Sequence, residues 1–175
     1  MSRVSFSNIN ITSEYAVDWN SDVYVAFTGG FDVQNDPILN NKYSGMTQRE
    51  FDDIKERHLL ELDYSASLKI LAAIEASFRI DYLQRVYARK KDDLSREFRK
   101  LHRQKGPRVN LESDVLDAWK THTNSSLFSE LKGAFKFRHW LAHGRYWTPK
   151  LGQKYDSFGL SVLAQTVNDS VPLIK

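Results

Sequence analysis

The sequence contains no cysteine among its 175 residues. That absence excludes disulfide staples, thiol nucleophiles, CxxC redox motifs and thiolate zinc sites, and it suits a reducing compartment. Proline and glycine are few, four and eight residues, so long stretches of chain run without a helix breaker. No apolar run approaches the ~20 residues that span a bilayer, and the opening MSRVSFSNIN has no apolar core of signal-peptide length. The expectation is a cytoplasmic protein with no membrane partner. Glycine-rich phosphate loops are missing as well: nothing matches a P-loop, a Rossmann fingerprint, GxSxG or HExxH.

What is present is an ordinary globular composition, 41% hydrophobic and 27% charged. A chain of this length buries roughly 70% of its unfolded surface, enough for a core that needs neither metal nor disulfide. The net charge of +3 hides an uneven distribution. Residues 1–63 carry five Lys/Arg against eleven Asp/Glu, whereas residues 79–108 carry eleven against four. The basic block is either an electrostatic footprint for a polyanion or a solvated helix face, since Asp81, Asp92, Asp93 and Glu97 interrupt it.

Along the chain, residues 1–46 are rich in Asn, Ser, Asp and Gly and hold one strand-like stretch, DVYVAF (22–27), followed by Gly29 and Gly30. This reads as an irregular N-terminal arm with a short hairpin. Helix signals then take over. Thr47 and Glu50 form a capping box that opens a helix to about residue 62. From Ser65 to about Lys91 the stripe Tyr64, Leu68, Leu71, position 75, Phe78, Tyr82 advances by four and three residues alternately, the period of one amphipathic helix face. A charged segment continues helically or breaks near Asp92 and stops at Gly106-Pro107, Asn110 caps a short helix, and Asn124-Ser125-Ser126 starts another. That helix has the stripe Leu127, Leu131, Ala134, position 138, Leu141 and stops at Gly144, and Leu160, Leu163 and Val167 mark a last one. Residues 47–175 are therefore expected to form an all-α bundle of four or five helices.

The informative positions are the two gaps in those stripes. Position 75 is Glu and position 138 is Arg. A buried lone charge costs several kcal/mol, so each needs a partner. The expectation is that Glu75 meets Arg138 across the helix interface with Arg79, one turn on, sharing the carboxylate. Such a pair either fixes helix register or supports a site.

Around Arg138 the chain reads FKFRHWLAHGRYW (135–147), with His139 and His143 four residues apart. Two imidazoles and a guanidinium suit phosphoryl chemistry: His exchanges protons near neutral pH and Arg neutralises charge building on phosphorus. The same His pair could be a metal site or a polar helix edge. With no Asp or Glu in 135–147 and no cysteine, a metal is disfavoured. Trp119, Trp140 and Trp147 read as core or interface residues.

Arg138-His139-Trp140-Leu141-Ala142-His143 resembles the R-x4-6-H signature of the HEPN (higher eukaryote and prokaryote nucleotide-binding) superfamily. Glu75-x3-Arg79-x-Asp81 is similar to the supporting helix of some bacterial members. The resemblance covers roughly residues 47–170. It implies a HEPN-like bundle in which Arg138 and His143 are catalytic, His139 fills the polar position beside the Arg, and Glu75, Arg79, Asp81 and Tyr146 support them. It further implies a metal-independent endoribonuclease without cofactor, a toxin or anti-phage effector that leaves a 2',3'-cyclic phosphate. A single motif per chain implies a homodimer with a composite cleft, and an antitoxin or regulatory protein is a further implied partner. RNA would be held by Arg89, Lys90, Lys91 and Arg99 of the basic block and by Arg145. In members paired with a nucleotidyltransferase antitoxin a Tyr follows the motif His after one residue, whereas Tyr146 falls one position later. The rival readings are a non-catalytic HEPN module that binds nucleotide or a partner, and a plain helical interaction protein.

Overall fold

The computed structural model describes residues 3–32, 35–123, 125–148 and 155–174, and among these the chain is all helical, without strands. The elements are α1 (Ser13–Gly30), α2 (Pro37–Lys42), α3 (Gln48–Tyr87), α4 (Asp93–Lys105), a π-helical turn (Leu111–Val115) running into α5 (Leu116–His122), α6 (Ser125–Ala142) and α7 (Ser157–Ser170). No helix among the described residues is long and apolar enough to cross a membrane.

Two sequence expectations are corrected here. The bundle over 47–175 has five α-helices among the described residues, as expected, but the arm before it is not irregular, since it adds α1 and α2, and the strand-like DVYVAF is the second half of α1. Val23, Val25 and Phe27 alternate as a strand would, but Val23 and Phe27 also lie four apart. The chain uses the helical period: those two are partly covered, while Tyr24 and Val25 face solvent. Thr12 caps this helix by accepting the Tyr15 N–H at 3.2 Å. Ala16 is then fully buried, and the Lys69 ammonium lies 3.5 Å from the Trp19 ring centre. The N-terminal region is thus helical from Ser13 and packs on α3.

The capping box at Thr47 is formed. Thr47 Oγ1 accepts the Glu50 N–H at 3.3 Å and the Glu50 carboxylate accepts the Thr47 N–H at 2.8 Å. With no Gly or Pro to stop it, the helix absorbs both expected helices and runs 40 residues, about 60 Å at 1.5 Å per residue. The side chains of Ile70, Leu71, Ile74 and Phe78 are fully buried against Trp119, Phe128, Leu131 and Leu160. Asn110 caps as expected, its Oδ1 accepting the Ser113 N–H at 2.9 Å. Its carbonyl receives both the Asp114 and Val115 amides, which widens the first turn into π geometry. The Asn124 cap expected for α6 lies outside the described residues.

Near the C-terminal end of α3 a buried ion pair ties the last segment down. Arg85 Nε donates to both Asp81 oxygens at 2.8 and 3.0 Å, and its Nη2 donates to the Pro172 carbonyl at 2.7 Å. Asp81 also accepts the Ile174 N–H at 2.9 Å. Burial pushes the Asp81 carboxyl above its usual range against the pull of those donors. Replacing Asp81 by Ala removes the bidentate partner of an almost wholly enclosed guanidinium and leaves it Asp92, at 3.3 Å, and the Pro172 carbonyl. The expected loss is about 3–5 kcal/mol in urea unfolding, with part regained in Asp81→Ala/Arg85→Met.

Candidate active site

α6 lies antiparallel to α3, since Phe128 packs edge-on against Phe78 near one end and Trp140 against Tyr64 near the other. In each helix the Cα–Cβ bonds tilt toward that helix's own N-terminus, so in an antiparallel pair Arg138 and Glu75 lean toward each other. Arg138 Nη2 is 3.0 Å from Glu75 Oε2, and Arg79 Nε is 2.7 Å from Glu75 Oε1. Arg79 also donates through Nη1 to the Val109 carbonyl at 3.2 Å, which joins the loop before the π-helical turn to the cluster. The Glu75 side chain is 16% exposed and that of Arg138 37%. The three charges therefore sit at the rim of the core, beside the Ile70–Ile74–Phe78 face and not within it. The Arg138 Nε, itself enclosed, has no hydrogen-bond partner, a position the fold leaves at a cost of about 1–3 kcal/mol.

The end of α6 fixes the histidines. Arg145 N donates to the Trp140 carbonyl at 3.1 Å and Gly144 N to the Leu141 carbonyl at 3.3 Å, the paired bonds of a Schellman stop. Gly144 sits at φ +76°, where a side chain would be strained. His143 is thereby the C-cap residue. Its ring centre lies 4.1 Å from that of His139, both rings are solvent-exposed, and His139 is 6.0 Å from Trp147. Trp147 is held because its carbonyl accepts the Trp140 indole N–H at 2.6 Å. Arg145 pairs with Glu61 at 2.7 Å and lies over the Tyr64 ring at 4.8 Å. The Glu61 hydrogen bond holds the Arg145 guanidinium pKa above its ordinary value.

Of the expected site residues, the structure gathers Glu75, Arg79 and Arg138 in one cluster, and His139 and His143 in another on the solvent side of the same helix end. Tyr146 is 83% exposed and meets only the Trp147 ring edge-on among the aromatic contacts. Asp81 is not with them: it belongs to the Arg85 pair and the C-terminal segment. Arg89, Lys90, Lys91 and Arg99 lie at the α3–α4 turn, where Arg99 donates to the Lys90 carbonyl. That turn is 24 residues along α3 from Tyr64, about 36 Å, so the expected basic flank is at the far end of the molecule. Sequence reasoning missed the Trp140–Trp147 clamp. It also gave Arg85 no partner, although the Asp81-x3-Arg85 spacing signals a helical ion pair.

Comparison with family models, with curated proteins and with solved structures found no match to this chain.

Glu75 is the hinge of the cluster, and its removal leaves two guanidiniums without a carboxylate. Glu75→Ala is expected to cost about 1–3 kcal/mol in urea unfolding, discounted from a fully buried pair because Arg138 is partly solvated. Glu75→Gln, which keeps an acceptor, should recover part of the loss.

Proposed function

We propose that the chain is a metal-independent endoribonuclease of the HEPN type, acting as a homodimer. The observation that carries this reading is the pairing of an ion-paired but partly solvated Arg138 with two exposed, touching imidazoles at the stop of α6. In the proposed reaction one imidazole takes the proton of a ribose 2'-OH. The 2'-oxygen bonds to the adjacent phosphorus, the bond from phosphorus to the 5'-oxygen breaks, and a second imidazole protonates that leaving oxygen. The products are a 2',3'-cyclic phosphate and a 5'-OH. Arg138 offsets the charge that accumulates on the phosphoryl oxygens, and Glu75 holds the guanidinium in position.

Position 143 lies five residues beyond 138, about 140° further around the helix at 100° per residue. The guanidinium and the terminal imidazole of one chain thus leave α6 on different sides. A two-fold partner supplies the missing side, and the in-line geometry then draws its acid and base from different protomers. The apolar residues around this end support an interface there: besides Tyr146, Phe158 is 78% exposed, and Ser157 beside it is hydrogen-bonded to Asp63 at 2.9 Å.

The test is RNA cleavage with product analysis. His143→Ala and Arg138→Ala are each expected to lose about 10²–10⁴-fold in rate. His139→Ala, which removes an orienting neighbour, should lose less. Cyclic-phosphate products should form equally in EDTA and in Mg²⁺. Activity that vanishes in EDTA or survives His143→Ala would sink the reading in favour of a binding module. Native mass spectrometry should find a dimer, and Tyr146→Asp together with Phe158→Asp should dissociate it and lower the rate with it.

A further inference from the structure

The carboxylates of the α4 region are all engaged. Asp92 caps the helix, accepting from Ser95 N at 2.9 Å and Ser95 Oγ at 2.8 Å, and lies 3.3 Å from Arg85. Asp93 pairs with Arg96 at 2.7 Å, and Glu97 reaches His122 at 2.9 Å. The cations are not matched in the same way. Among the described residues Arg89, Lys90, Lys91, Lys100, Arg103 and Arg108 are exposed and form no ion pair.

Their arrangement is regular. Arg96, Lys100 and Arg103 stand at i, i+4 and i+7, on the side of α4 opposite the buried Leu94, Phe98 and His102. The Arg99 guanidinium, bonded to the Lys90 carbonyl, fixes the turn that presents Lys90 and Lys91 at one end of this row. Neighbouring charges on such a row are closer than the ~8 Å Debye length, so their potentials add. The 13-residue helix is about 20 Å long, long enough to run beside several consecutive phosphates of one strand. A lipid surface fits less well, because α4 spends its apolar face on the core and none of the large exposed hydrophobic residues lies between 89 and 108.

We propose that the outer face of α4, with the Arg89–Lys91 turn, is a backbone-binding site for single-stranded RNA, separate from the histidine end and engaged only by RNA long enough to reach both. Tyr82, which packs on Phe98 of α4, is 18 residues from Tyr64 along α3, so the two sites are about 27–36 Å apart. The identity of the polyanion as RNA rests on the ribonuclease reading. The existence of a polyanion site does not.

The experiment uses the full chain with two single-stranded RNAs, one of about 24 nucleotides and one of about 3, the second too short to reach both sites even when fully extended. Binding is followed by fluorescence anisotropy in a His143→Ala background across a salt series. Lys91→Glu/Lys100→Glu/Arg103→Glu is expected to weaken the longer RNA at least ~10-fold and to flatten the slope of log affinity against log salt by about 2, at roughly 0.7 per phosphate contact. The neutralising pair Lys100→Gln/Arg103→Gln should move both quantities in the same direction by less, and an unchanged thermal melt certifies the fold of each. With His143 intact, the advantage of the longer RNA in kcat/KM should fall toward one in the triple variant. Unchanged affinity for the longer RNA in both variants overturns the proposal, as does binding to phosphatidylserine vesicles without affinity for RNA. A chain that holds RNA through α4 but never cleaves it overturns the ribonuclease reading and leaves this site standing.

Discussion

A helix of 40 residues is longer than a domain of this size is wide, and it cannot bury one face against a single partner. α3 therefore dictates the order of everything else. α1 covers its first half, α6 and α7 its middle, and α4 and the π-helical turn its last third. Each covering element meets a different stretch of α3 and inherits that stretch's chemistry. The acidic first part of the chain and the basic block after it, which nearly cancel in the net charge, become two ends of one rod.

The covering helices also decide what the charged positions of α3 can do. An antiparallel α6 brings Arg138 back to Glu75, and the pair stays at the rim where one guanidinium keeps contact with solvent. Asp81 lies on another side of the same helix, where α4 and the C-terminal segment enclose it, and its partner Arg85 is spent on structure. Two carboxylates six residues apart on one helix thus hold arginines for different ends. The first leaves its arginine available, and the second locks its arginine into a shell of carbonyl and carboxylate oxygens.

Much of this was legible because the relevant signals are local. Thr47 with Glu50, Asn110 and Gly144 each act through hydrogen bonds within a few residues, and all three hold in the structure. The Glu75–Arg138 contact was legible for a different reason: a charge on an apolar stripe demands a partner, and few were on offer. The reading failed where two periods fit one short segment, as at Val23 and Phe27, and where the absence of a breaker between residues 62 and 65 was not taken to mean one continuous helix. It failed again on the basic block, because linear adjacency to Glu75 carries no information about distance from His143. A helix puts ~1.5 Å between neighbours, and two dozen residues of it separate groups that look like one cluster on the page.

The electrostatics of the histidine end follow from the same geometry. α3 contributes carboxylates here, which would repel an approaching polyanion if left bare. They are not bare. Glu61 is paired with Arg145, Glu75 is shared by Arg79 and Arg138, and Asp63 accepts the Ser157 N–H. The arginines next to the motif thus have a role that charge counting hides, since they pair with carboxylates of α3, the helix against which the motif's helix packs. What is left facing solvent at the stop of α6 is a pair of imidazoles in contact with each other. An end of the molecule that is rich in carboxylates by sequence thus presents Glu61, Asp63 and Glu75 already engaged, and Arg79, Arg138 and Arg145 lie among them.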